Sequence, residues 1–180
     1  MALKSTIYKI SLQLADMDRN YYADHALTIA RHPSETDERM MMRVLAFALH
    51  ADDALALGKG LSDDDEPDLW RRDLTGAIEQ WIEVGLPDDR RLIRAAGRAG
   101  EVVVLAYGST VPVWWKNIAG KLERVKKLKV FQVSADTGAQ LAALVERTMQ
   151  LTITIQEGHI MVSNGSQVVE FEVHTLRGNA

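Results

Sequence analysis

Residues 65–98 read DEPDLWRRDLTGAIEQWIEVGLPDDRRLIRAAGR, and the order of patterns inside this stretch decides the fold. From Ile78 to Val84 the chain alternates, with Ile78, Gln80, Ile82 and Val84 on one side and Glu79, Trp81 and Glu83 on the other. A period of two is a strand, and Glu83 stands at its end. Asp88 then predicts a helix cap over about Asp89 to Ala99, along which Arg90, Arg94 and Arg98 recur every four residues. Val102 to Tyr107 is an unbroken valine-rich run, suited to a central strand covered on both faces.

Outward from this core, the chain predicts further elements. Thr6 to Leu14 alternates around Tyr8, Ile10, Leu12 and Leu14, and Tyr21 to Ile29 resumes the alternation, so the pair reads as a long antiparallel hairpin. Ser34 caps a helix over about Glu35 to Ala51, whose apolar stripe includes Met41, Val44, Leu45 and Ala48, with Glu38 on much the same side. Helices are expected over about Val113 to Lys127 and Asp136 to Arg147, on either side of a strand from Leu128 to Val133. From Met149 the period returns to two, and Asn164-Gly165 marks a hairpin turn. The expected architecture is α/β (α+β): a mixed central sheet flanked by helices, with an accessory antiparallel sheet made by the N-terminal hairpin and the C-terminal meander. One domain spans residues 1–180, with its core at about 34–147 and the accessory sheet at about 4–32 and 149–176.

Composition bounds the function. A 180-residue chain with 47% hydrophobic and 26% charged residues can bury a substantial core. A net charge of -4 argues against a generally basic coat for nucleic acid, although a local basic patch can still hold phosphate. The absence of cysteine excludes disulfides, disulfide-linked partners and thiolate metal sites. No run approaches the roughly 20 apolar residues of a spanning helix, and the alternating N-terminus is not a signal peptide, so no membrane association and a cytoplasmic location are expected.

The chemistry centres on carboxylates. Asp68 follows Pro67 and Glu83 follows fifteen residues later, a spacing that a hairpin turns into proximity. Paired carboxylates suit Mg2+ or Mn2+, an ion that can polarise a phosphoryl oxygen and activate water. The competing reading makes Asp65, Glu66, Asp68 and Glu83 partners of Arg90, Arg91 and Arg94 in an ion-pair network. Trp70, Trp81, Trp114 and Trp115 read as core packing ahead of base stacking, and the five histidines show no ligand spacing. Lys116, Lys121, Arg124, Lys126, Lys127 and Lys129 form the densest basic region, either a solvated helix face or a track for a phosphate backbone.

The segments HPSETDERMM, DEPDLW, WIEVGLPDDRR and VWW resemble the YaeQ family over essentially the whole chain, and the element order resembles the PD-(D/E)XK, or restriction endonuclease-like, superfamily. That resemblance implies a Mg2+-dependent nuclease or phosphodiesterase acting on DNA or RNA. Asp68 and Glu83 would be its metal ligands and Glu38 an added acid from the first helix. The lysine of the nuclease pattern would fall at position 85, where this chain has glycine. Arg94, with Arg91 next, is the substitute cation the resemblance implies, and Lys116 joins them in engaging substrate phosphate. Arginine does not deprotonate at accessible pH, so the substitution suits phosphate binding better than proton transfer. The alternative is a catalytically inactive nuclease-fold protein that binds nucleic acid or a protein partner.

Overall fold

Alternation beginning at Thr6 and the continuous apolar runs beyond Ile78 produce, among the described residues of the computed structural model, two mixed sheets with four α-helices. The structure describes residues 4–59, 61 and 63–178. Positions 1–3, 60, 62, 179 and 180 of the expected 1–180 domain lie outside the described residues. The chain divides into two units, Met1–Met41 with Asp136–Val173 and Met42–Ala135 with His174–Ala180.

In the first unit β1 (Thr6–Asp16) and β2 (Tyr21–Arg31) pair antiparallel from Thr6↔Arg31 to Asp16↔Tyr21. With β8 (Thr148–Gln156), β9 (His159–Ser163) and β10 (Val168–Glu172) they form a five-stranded sheet in the order β10-β9-β8-β1-β2. Ile10, Leu12, Leu151 and Ile153 are all buried on one face. The expectation of a purely antiparallel sheet is corrected here. β1 and β8 run parallel, from Lys9↔Thr148 to Asp16↔Ile155, because more than a hundred residues intervene and only adjacent hairpins impose antiparallel pairing.

Helix α1 (Asp37–Leu49) starts in this unit. Its cap is Thr36, whose hydroxyl accepts from the Arg39 N–H at 3.1 Å, in place of the expected Ser34, which is held by His32 Nδ1 at 2.6 Å. The three consecutive methionines are buried, as packing residues are. Helix α4 (Ala135–Ala142) is shorter than the expected Asp136–Arg147. Its continuation is taken by the sheet: the Arg147 carbonyl accepts from the Lys9 N–H at 3.0 Å.

In the second unit β3 (Leu55–Leu57), β4 (Leu69–Arg72), β5 (Ile78–Val84), β6 (Ala99–Tyr107), β7 (Leu128–Val133) and β11 (His174–Arg177) form a six-stranded sheet in the order β11-β7-β6-β5-β4-β3. β5, β6 and β7 are parallel, and the remaining neighbours are antiparallel. The last strand thus leaves the C-terminal meander and pairs with β7.

Helices α2 (Asp89–Ala96) and α3 (Val111–Ile118) are the crossovers between the parallel strands. One cluster joins Trp81, Val102, Val104 and Val130 of the sheet to Leu92 and Ala95 of α2 and Val111 and Ile118 of α3. Each fully buried apolar side chain of this kind contributes about 1.5–3 kcal/mol. α3 ends well before the expected Lys127. Gly120 interrupts it, a 3-10 turn covers Ala119–Leu122, and Arg177 takes the freed carbonyls of Leu122 and Val125, each at 2.5 Å. No helix among the described residues is long and apolar enough to cross a membrane.

Candidate functional site: a buried carboxylate pair closed by an arginine

The antiparallel register of β4 and β5 sets Leu69 opposite Ile82. One step further along the ladder Asp68 meets Glu83, which is the physical meaning of their fifteen-residue spacing. Both are buried. Asp68 Oδ2 accepts the backbone N–H of Val84 at 2.8 Å, so this carboxylate ties the start of β4 to the end of β5.

Glu83 shares its strand face with Trp81, two residues earlier, and its Oε1 accepts the indole N–H at 2.8 Å. The same oxygen accepts Arg91 Nε at 2.6 Å. Arg91 lies on the first turn of α2, whose cap is Asp88, accepting from the Arg91 N–H at 2.8 Å. Its remaining nitrogens reach the loop before β4: Nη1 donates to the Asp64 carbonyl at 2.8 Å and Nη2 to the Glu66 carbonyl at 3.0 Å. Arg98 adds a bond to the Asp65 carbonyl at 3.0 Å and lies over the Trp81 ring at 5.0 Å. Trp70 meets that ring edge-on, with centroids 6.2 Å apart. The acidic loop is therefore strapped down through its carbonyls, whereas the sequence suggested pairing through its carboxylates.

Burial pushes the Glu83 carboxyl above the ordinary glutamate range, the Asp68 charge adds to the rise, and Arg91 with its hydrogen bonds opposes it. Two adjacent carboxylates in a dry setting need a cation, and in this structure the cation is a guanidinium. Mg2+ asks for near-octahedral oxygen coordination. Here Glu83 Oε1 accepts from the Trp81 indole and from Arg91, and Asp68 Oδ2 accepts from the Val84 N–H. Among the described residues no three His, Asp or Glu side chains gather where they could hold a metal. As arranged, the cation bonded to Glu83 is Arg91.

Glu38 belongs to the first unit, where its Oε1 fills the space beside Gly138 of α4; a β-carbon built there would stand 2.1 Å from it. Arg94 is exposed on α2, and Lys116 is exposed on the last turn of α3. Neither pairs with a described residue. Gly85 occupies the lysine position of the nuclease pattern with φ +103°, a conformation that side chains with a β-carbon rarely adopt. The backbone at the end of β5 thus accounts for the glycine. Trp81 is buried, in keeping with its reading as a core residue.

Comparison with known proteins gives the lineage. The family model described as YaeQ protein matches residues 1–173. The chain belongs to the YaeQ family. Its YaeQ relative in Salmonella typhi is 44% identical over 174 residues, covering 96% of both chains, and that in Escherichia coli (strain K12) is 44% identical over 171 residues, covering 94% of both. The crystal structure of YaeQ protein from Xanthomonas axonopodis pv. citri is 44% identical with a TM-score of 0.94, over 97% of this chain and 99% of that one. That of YaeQ protein from Pseudomonas syringae is 39% identical with a TM-score of 0.94, over 97% of each.

Sequence reasoning placed Asp68 and Glu83 together and named Arg91 among the arginines of the ion-pair reading, second to Arg94 as a substitute cation. In this YaeQ site Arg91 is the arginine at Glu83; the cap at Asp88 fixes the helix phase and turns the third helical residue back toward β5. The feature that was missed is the Trp81 indole as a donor, for which the signal was present in the two-residue spacing to Glu83.

Proposed function

We propose that this YaeQ-family protein is a nucleic-acid-binding relative of the PD-(D/E)XK nucleases in which the carboxylate pair has become a structural node. The order α1, β3-β4-β5 meander, α2, β6, with β6 parallel to β5, supports the relationship to that superfamily. The observation that carries the reading is the position of Arg91, which supplies to Glu83 the positive charge that a metal would otherwise supply.

The binding surface is the helical layer of the second unit. Residues 89–127 hold nine arginines and lysines against three acids. Arg90, Arg94, Lys116, Lys121, Arg124 and Lys126 are exposed there. Cations left to solvent on one layer suit phosphates, which release counterions as they are neutralised.

Fluorescence anisotropy with labelled single-stranded and duplex oligonucleotides tests this. Four phosphate contacts would weaken binding about 100-fold between roughly 50 and 200 mM salt, and Arg94→Ala or Lys116→Ala would each reduce the salt slope by about one. Absence of binding at low salt, or binding indifferent to salt and to both substitutions, would overturn the reading. A second reading, a Mg2+-dependent phosphodiesterase in which Arg91 yields its place, draws on the adjacency of Asp68 and Glu83 and the upward shift at Glu83. Metal-dependent cleavage abolished by Glu83→Ala would favour it.

A further inference from the structure

The outward face of the five-stranded sheet carries a groove that the carboxylate pair leaves unexplained. Its 620 Å³ lie over β2, β1 and β8, beneath the Asn164-Gly165 turn, and a neighbouring hollow of 450 Å³ shares Gln13, Asp24 and Thr152 with it. Volumes of this order are those of small-molecule sites.

The register shows why the face is concave. Three cross-strand rows run Ala26–Ser11–Gln150, Asp24–Gln13–Thr152 and Tyr22–Ala15–Thr154. Ala26, Ser11 and Ala15 are small and leave a floor near the backbone, while Gln13, Asp24, Gln150 and Tyr22 stand up around it. Thr152 Oγ1 donates to Gln13 Oε1 at 3.4 Å. Ser11, Asp24 and Gln150 keep their side-chain hydrogen-bonding capacity, with no partner among the described residues. Tyr22, 60% exposed, closes one end with an open aromatic face.

We infer that this groove is a binding site for a neutral saccharide. Two amides, a carboxylate and two hydroxyls offer donors and acceptors at strand spacing, about 4.8 Å apart between strands. Planar amide and carboxylate groups pair with the adjacent hydroxyls of a pyranose ring, and the ring's C–H face lies on Tyr22. Charge separates this ligand from the alternatives. Among the described residues no lysine or arginine lines either hollow, and Asp24 supplies the one formal charge, so a phosphate backbone or a sulfated glycan is repelled. The row of amides and hydroxyls is equally wrong for an apolar ligand, which would leave them desolvated and unpaired.

The test is saturation-transfer NMR and titration calorimetry on the whole chain with maltotriose, cellotriose and chitotriose, alongside a single-stranded oligonucleotide as the anionic probe. Saturable binding of at least one trisaccharide is expected. Gln13→Ala and Asp24→Ala should each weaken it at least about tenfold while leaving the melting temperature unchanged. Ala26→Trp, which fills the floor from the solvent side, should abolish it. Three results would overturn the inference: no saturable binding of any trisaccharide at about 20 mM, a concentration well above the Kd of even a millimolar complex; binding unaltered in a folded Ala26→Trp protein; or displacement of the sugar by the oligonucleotide.

Discussion

Replacing Arg91 with alanine removes the cation that, among the described residues, is bonded to the Glu83 carboxylate. The Glu83 side chain is 5% exposed and that of Arg91 is 24% exposed, so the pair lies on the buried side of the range between surface and interior ion pairs. Deleting one partner of a buried pair costs about 3–5 kcal/mol, because the survivor is left charged and dry. The partial exposure of Arg91 places this case near the lower end, about 3 kcal/mol. With a urea dependence of about 2 kcal/mol per molar, the unfolding midpoint should fall by roughly 1.5 M at neutral pH.

The deficit should also depend on pH. Glu83 titrates higher in the folded chain than in the unfolded one, so the folded state binds more protons, and stability falls as pH rises from the ordinary glutamate range through the raised folded value. Without Arg91 the rise is larger and the window wider. The Arg91→Ala deficit should therefore be greatest at neutral pH and shrink toward pH 4.5, the ordinary glutamate value. Adding Glu83→Gln should remove that pH dependence. A loss below about 0.5 kcal/mol, as for an exposed ion pair, or a loss equal at both pH values, would refute the account of the node.

Asp68→Ala should cost about 1–3 kcal/mol in the same denaturation assay by stranding the buried Val84 N–H. Asp68→Asn should instead lower the Glu83 pKa, because the Asp68 charge contributes to its rise, and a carbon-13 NMR titration of the glutamate carboxyls reads this directly. Gly85→Ala should cost about 1–3 kcal/mol through backbone strain alone, measured as a lowered melting temperature, since φ is +103° while no atom lies within 4 Å of the added carbon.

Much of the second sheet was legible because its signals are local. The alternation of Ile78–Val84 and the apolar run of Val102–Tyr107 each lie within one element, and Asp88 announces the helix after it. What was not legible depended on partners distant along the chain. β3 and β4 are too short for their period to stand out, and they are strands because β5 offers an edge. The parallel pairing of β1 with β8 joins residues about 140 apart, and the end of α3 depends on Arg177, more than fifty residues further on. At the site, the proximity of Asp68 and Glu83 follows from hairpin arithmetic. The choice of Arg91 depends on the phase of α2 about its axis, which the Asp88 cap sets.

The most direct test of the claim that a guanidinium has taken the metal's place is thermal unfolding with increasing Mg2+, for the natural sequence and for Glu83→Ala. The account expects the melting temperature of the natural sequence to be indifferent to the ion. A saturable rise in melting temperature that disappears in Glu83→Ala would show that the carboxylates hold the metal and would contradict it.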